Sequence, residues 1–335
     1  MPTSLVTGGA GFVGSHVADA LLAMGHRVVV VDDLSGGFVD NVNVRASFLE
    51  GSCTDAGFLR SVFERHSFDH VFHLAAYAAE GLSHFARSFN YSNNLIGSMN
   101  VLNAAVNQGG VKTWVFASSI AVYGSGQTPL GEATTPRPED PYGIAKYAVE
   151  LDLEAAYRMF GLNYVIFRLH NVYGERQNHG DRYRNVIGIF MNQVLQGQPC
   201  TVFGDGLQTR GFTHWDDVAS VMAHSIDNPR ALNGVFNLGA DRACTVRHLA
   251  ELVQQAMGNP TGIKYLDARK EVVHALSDHA RARDILDYRP TVELEEGLGR
   301  MATWVKKVGP RQSKGFVGIE IERELPMAWR APDVQ

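Results

Sequence analysis

The chain carries only three cysteines in 335 residues, at 53, 200 and 244. They are too scattered for a disulfide framework or a structural zinc site. Its 13 histidines show no HExxH pattern, so a helix-borne zinc hydrolase is excluded and no metal is expected. No apolar run approaches the ~20 residues that a membrane span needs. The first strand begins by Ser4, which leaves no room for a signal peptide. There is no basic excess: 30 Lys and Arg stand against 35 Asp and Glu, giving a formal net charge of -5. That balance offers no electrostatic case for nucleic acid or an acidic membrane surface as a partner. Internal repeats and low-complexity segments are also missing. A soluble protein in a reducing, cytoplasmic setting is expected.

What is present is an ordinary globular composition, 45% hydrophobic and 19% charged. Short apolar runs alternate with helix-like stretches through the first half. The runs are SLVTG (4–8), HRVVVVDD (26–33), SFLEGS (47–52), HVFHLAA (70–76), TWVFASS (113–119) and NYVIFRL (163–169). Helical patterns lie between them at 12–24, 56–66, 88–107 and 142–160. Near-continuous Val and Ile runs alternating with helices indicate a parallel sheet covered on both faces. The fold class is therefore α/β, a doubly wound parallel sheet of Rossmann type. The second half is less regular. It reads as a smaller C-terminal α/β lobe, with helices at 185–197 and 245–258 and a short strand at 201–206. The expected division is a dinucleotide-binding domain over 1–171 and a mainly substrate-binding lobe over 172–335. Segments near 208–242 are expected to pack back on the first domain. The tail holds VGIEIER (317–323), a possible extra strand, and LPMAW (325–329).

Glycines 8, 11 and 14 recur at a spacing of three in TGGAGFVGSH (7–16), between the first strand and the first helix. Glycine lets the backbone turn tightly and approach a pyrophosphate, and the helix N-terminus supplies free N–H groups. The next strand ends in Asp32, which can accept from both hydroxyls of an adenosine ribose. A carboxylate there repels a 2′-phosphate, so NAD is expected rather than NADP.

PYGIAKYAVE (141–150) opens a helix with Tyr142, and Lys146 follows four residues on, one turn away on the same face. A phenol has a pKa of about 10, and a nearby ammonium favours its ionised form. Bringing it near neutrality needs a shift of roughly 3 units, which Lys146 and a positive nicotinamide ring can supply together. Ser119 ends the preceding strand on the cofactor side of the sheet. It can hold the substrate oxygen that Tyr142 deprotonates.

TGGAGFVGSH, Asp32, HLAA (73–76), NNLIGS (93–98), SSIAVYG, YGIAK and NVYG (171–174) occur in order, followed by FGDGLQTRGFTHWDDVA (203–219) and FNLGA (236–240). Together they resemble the extended short-chain dehydrogenase/reductase family, in its nucleotide-sugar epimerase and dehydratase branch, and most of all the UDP-hexose 4-epimerases. The resemblance covers about 1–307, and the tail beyond 310 has no counterpart in it. It implies Ser119, Tyr142 and Lys146 as catalytic residues. It implies a cofactor site of Gly8, Gly11, Phe12, Val13, Gly14, Asp32, Asp33, Ser52, Cys53, Leu74, Ala75, Ala76 and Asn94, with Tyr142 and Lys146. For a nucleotide diphosphate sugar it implies Ser119, Tyr142, Asn171, Asn185, Phe203, Arg210 and Arg269. It also implies a homodimer built through the helices at about 88–107 and 142–160.

In this branch the positions after the strand-end Ser or Thr set the reaction. The 4,6-dehydratases carry Asp-Glu there, decarboxylases of nucleotide glucuronates retain a Glu, and 3,5-epimerases of GDP-mannose carry a Cys. This chain has Ile120 and Ala121, which can neither donate nor accept a proton. The expected reaction is therefore oxidation of the sugar at C4 by NAD and hydride return to the other face, on a UDP-hexose or UDP-hexuronate. A dehydratase, a reductase, an epimerase at another carbon and a non-catalytic NAD-binding protein stay as alternatives. An acid from elsewhere would come from Glu80 or His84 in YAAEGLSHF (77–85), a loop that departs from the family pattern. Ala275 reads as a small residue beside the hexose, which would leave a roomy pocket. Arg182 or Arg184 could meet a substrate carboxylate or face water, and His170 could touch nicotinamide or sugar or serve packing.

Overall fold

The computed structural model describes residues 1–312 and 316–330. Its centre is a seven-stranded parallel sheet. In spatial order the strands are Gly234–Leu238, Tyr164–Leu169, Thr113–Ser119, His70–His73, Thr3–Thr7, Arg27–Asp32 and Ser47–Glu50. Successive strand residues point to opposite faces. Accordingly Val6, Val28 and Val30 belong to one buried core, while Leu5, Val29 and Val31 belong to the other. Burial on both faces is why these strands read as unbroken apolar runs. The helix Phe12–Ala23 packs with Asp216–His224 on one side of the sheet, and Ala56–Arg65 with Gly97–Gln108 on the other.

Strand order reverses between Thr3–Thr7 and His70–His73, which opens a crevice at the carboxyl ends of those strands. The last strand of the sheet, Gly234–Leu238, comes from the second half of the chain. The remainder of that half gathers helices Val186–Leu195, Val246–Met257 and Leu294–Val308 around a third core that includes Phe190, Val202, Leu249 and Met301. Thr245 caps Val246–Met257 by accepting from the His248 N–H, and Gly258, at φ 65°, ends it in the left-handed conformation.

Three expectations change. The helical stretch at 88–107 is broken into Arg87–Tyr91, a π-turn at Ser92–Ile96 and Gly97–Gln108. Such turns occur often at functional sites, and this one brings Asn93 to the wall of the crevice. The strand expected over 201–206 is the shorter Cys200–Phe203, because Gly204 and Gly206 turn the chain at φ 69° and 75°. VGIEIER forms no strand. The Glu320 carboxylate accepts from the Ser88 and Phe89 N–H groups, and the Glu320 and Ile321 N–H groups both donate to Phe85 O. One carbonyl taking both donors holds the segment against a helix start and leaves it no sheet partner.

Candidate active site

Two adjoining cavities lie over the crevice. The first is walled by the glycine turn. Gly8 has φ 71°, and a Cβ there would lie 2.7 Å from Ala75 backbone. A Cβ on Gly14 would lie 2.1 Å from Gly8 O. Gly11 begins the helix Phe12–Ala23 with no capping side chain and no acid in the first turn, so its N–H groups face the cavity uncontested. Asp32 accepts from Ala10 N–H at 3.1 Å and Leu34 N–H at 2.8 Å, which aims the carboxylate at the rim of the turn. Burial raises its pKa against those hydrogen bonds. Phe12, Val13, Asp33, Ser52, Cys53, Leu74, Ala75 and Ala76 complete this wall, with Gly36, Gly37, Tyr77 and Asn93, which the sequence did not single out. Asn94 does not join it. Its amide is fully buried, accepting from Tyr77 N–H and donating to Tyr77 O and Asn90. A cradle that a single methyl group would fill, open helix N–H groups and the Asp32 carboxylate at the end of the neighbouring strand together fit a dinucleotide.

Ser119, Tyr142 and Lys146 line the floor of the same cavity. Asp140 caps the helix Pro141–Phe160 by accepting from Gly143 N–H, and Pro141 occupies its first turn. That geometry presents Tyr142 to Ser119, whose hydroxyl favours the phenolate by hydrogen bonding. Lys146 donates to Ala117 O at 2.7 Å and lies 4.7 Å from the Phe116 ring centroid and 5.8 Å from that of Tyr142. The expected lowering of the Tyr142 pKa by Lys146 is not what dominates in the protein alone. Burial and the charge of Glu80 push Tyr142 up, against Ser119 and Arg184. Lys146 is itself lowered to about 7, by burial, with Glu150 opposing.

Ile120 and Ala121 enter a short 3-10 turn, Ile120–Tyr123, and are buried away from the cavity. Ile120 packs with Val122, Tyr123, Leu130 and Ala275. Ala275 therefore backs this cluster and does not widen the sugar site. Behind the floor runs a buried network that sequence reading missed. Ser118 donates to Glu150, Glu150 pairs with Arg168 at 2.6 Å, and Arg168 lies over Tyr123. Its one legible signal was Glu150, a turn beyond Lys146 on the same helix.

The second cavity adjoins the first at Ala78, Glu80, Asn171, Arg184 and Asn185. Asn171 and Asn185 both hold positive φ, 40° and 65°, and donate to Gly211 O and Val172 O. Phe203, Arg210, Arg269 and Arg182 line the far end. Arg269 lies 4.6 Å from the Phe203 ring centroid and pairs with Glu271 at 2.8 Å. Arg210 reaches the same Glu271 at 3.7 Å and donates to the carbonyls of Thr209, Val272 and Val273. Arg184 pairs with Asp181 and covers the Tyr77 ring. His170 is not on either wall. It is fully buried against Gly211, Gly239 and Ser277, and burial holds its pKa at about 3.

Glu80 opens the short helix Glu80–Ser83 and lines both cavities. Its side chain is open to the cavity but enclosed by protein beyond it. That enclosure, with repulsion from Asp140, pushes its pKa up to about 7, against Arg210 and Arg269. Its carboxylate makes no hydrogen bond or ion pair among the described residues. His84 lines only the second cavity.

The sheet order, the glycine cradle at the switch point and the Ser, Tyr and Lys beside it define an extended short-chain dehydrogenase/reductase. The model of the NAD dependent epimerase/dehydratase family matches residues 4–239, and the chain belongs to that family of NAD-dependent enzymes. It is 32% identical to the UDP-glucose 4-epimerase of Mycolicibacterium smegmatis over 89% of this chain and 96% of that one. Its fold matches the crystal structure of Thermotoga maritima UDP-glucose 4-epimerase with UDP-glucose, with TM-score 0.87, 37% identity and coverage of 91% and 99% of the two chains. The Thermus thermophilus UDP-glucose 4-epimerase in complex with NAD matches with TM-score 0.84 and 31% identity, over 90% and 98% of the chains.

Proposed function

We propose that the chain is an NAD-dependent UDP-hexose 4-epimerase. The observation that carries this reading is the floor of the first cavity. Ser119 and Tyr142 face one point, while Ile120 and Ala121 turn into the core. That leaves proton exchange with a single oxygen and no second acid at the positions that set the reaction. Tyr142 takes the proton of the sugar 4-hydroxyl and gives it back. Ser119 fixes that oxygen by hydrogen bonding, and Lys146 holds positive charge beneath Tyr142. Bound NAD supplies reversible hydride acceptance at C4 and a positive charge beside Tyr142. Arg210 and Arg269, sharing one carboxylate, hold the diphosphate, which replaces Glu271 as their partner. Asn171 and Asn185 orient it at the junction of the cavities, and Phe203 packs beside the base.

Glu80 supports a second reading. A carboxyl with a pKa near 7 on the sugar-end wall could act on a carbon next to a C4 ketone, which would make the enzyme an epimerase or dehydratase at another position. The turned-away Ile120 and Ala121 favour the first reading.

A homodimer through Pro141–Phe160 and the helix broken at Ser92–Ile96 is part of the proposal. Those elements pack together, and they leave Ile96, Ile144, Leu151 and Phe160 exposed. A cytoplasmic setting agrees with three free thiols. The purified protein is expected to release about one NAD per chain on denaturation, with no NADP. It should convert UDP-glucose to UDP-galactose without added cofactor. Chromatography of the released nucleotide and of the sugar products checks both; NADP release, or dependence on added NAD, would count against the account.

A further inference from the structure

Two segments depart from the family pattern, the loop 77–85 and the tail beyond 310, and in the structure the loop and residues 316–330 form one unit. Glu320 and Ile321 donate to Phe85 O, and the Glu320 carboxylate caps the start of Arg87–Tyr91. Leu325 and Trp329 are buried in a cluster with Ala79, Leu82, Ala86 and Tyr183. Trp329 meets Phe85 and Tyr183 edge-on. Gly81 makes room for it: a Cβ there would lie 2.9 Å from the indole. The other side of this unit faces the substrate cavity. Ala328 and Trp329 line it, and the indole lies 6.4 Å from the Phe203 ring and 5.7 Å from the Arg269 guanidinium, between centres.

We infer that residues 316–330 are part of the substrate site, with Trp329 and Phe203 meeting edge-on to form an aromatic corner that seats the Arg269 guanidinium at the end of the cavity that takes a nucleoside diphosphate. The inference rests on the nucleotide-sugar reading of that cavity. Arg269 is held from two sides by aromatic rings and from a third by Glu271. A guanidinium fixed in this way loses little conformational freedom when it meets a diphosphate. Trp329 is a positioning residue, acting through Arg269. Cation–π contacts of this kind act on how firmly the guanidinium is held, so the effect belongs in nucleotide affinity and not in the chemical step.

The test is titration of UDP, GDP and CDP into wild type, Trp329→Ala and Trp329→Phe by calorimetry, with kcat and KM for UDP-glucose alongside. Trp329→Ala should weaken binding of the preferred diphosphate roughly tenfold and raise KM in parallel. Its kcat and NAD content should stay within about twofold, and Trp329→Phe should recover most of the loss. Unchanged diphosphate affinity in folded Trp329→Ala overturns the inference. Should that variant not fold, amide exchange on the wild type decides. Slower exchange over 316–330 on adding the diphosphate supports the inference, and unchanged exchange there, with protection around Arg269, overturns it. Diphosphate binding without sugar epimerisation would defeat the functional reading and leave this one standing.

Discussion

Tyr142→Phe is expected to reduce turnover by roughly 10³-fold, within the range of general acid–base catalysis, while the protein keeps its NAD. The substitution removes one oxygen from a side chain that is 6% exposed. The ring still fills the space beneath the Glu80–Ser83 helix, which Ser83 ties to the Tyr142 N–H and to Asp140. The glycine cradle and Asp32 are untouched, so cofactor content should not change. The phenol is also costly to ionise in the resting protein, because burial and Glu80 both oppose the phenolate. A phenylalanine gives up only the hydrogen bond with Ser119, a loss of about 1 kcal/mol, which is too small to unfold the protein, so the activity loss does not come from unfolding. Released NAD, a melting curve and steady-state rates check the three statements together. Turnover near wild type would end the assignment of Tyr142 as the acid–base group.

Lys146→Met should separate activity from stability. Lys146 is 2% exposed, and burial lowers its pKa to about 7. Between about 7 and the unfolded value of about 10.4 the unfolded chain binds more protons at this site than the folded one. Stability from this residue therefore rises with pH across that window, and at neutral pH the buried ammonium is a liability. Methionine fills similar space without charge. The variant should melt higher than wild type at pH 7, by a few degrees, and the difference should shrink as pH rises toward 10. Its kcat should fall by about 10²-fold or more, since nothing then holds positive charge beneath Tyr142. Calorimetric melting at several pH values and one rate measurement check both directions. A variant that melts lower at pH 7 would mean that the Ala117 carbonyl bond outweighs desolvation.

The sheet was legible because doubly buried strands leave apolar runs, and the glycine turn because only glycine tolerates the approach of Ala75 and Gly8 to those backbones. Ser119, Tyr142 and Lys146 were legible as one site from their strand-end and helix-start positions taken together with the ordered motifs that carry the family resemblance, since a Tyr and Lys four apart are too common to mark a site by themselves. Other features depend on tertiary contacts that local pattern does not encode. Asn94 faces inward and Asn93 outward because of a π-turn that shifts the helix face. VGIEIER alternates like a strand, yet its position is set by Phe85 and the helix start at Arg87–Tyr91. Trp329 was invisible as a site residue because it reaches Arg269 across sixty positions of sequence. Ala275 was read as a cavity residue by its position along the chain and packing turned it inward, while for His170, open between cavity and packing from sequence, the structure shows packing.

The most direct test of the account is proton NMR of the purified enzyme turning over UDP-glucose in D2O. The account predicts a C4-inverted product with solvent deuterium at none of C3, C4 and C5, because the residues on the floor of the cavity handle only the proton of one hydroxyl. Deuterium at C3 or C5, or loss of water, would contradict it and would place the missing acid–base group at Glu80.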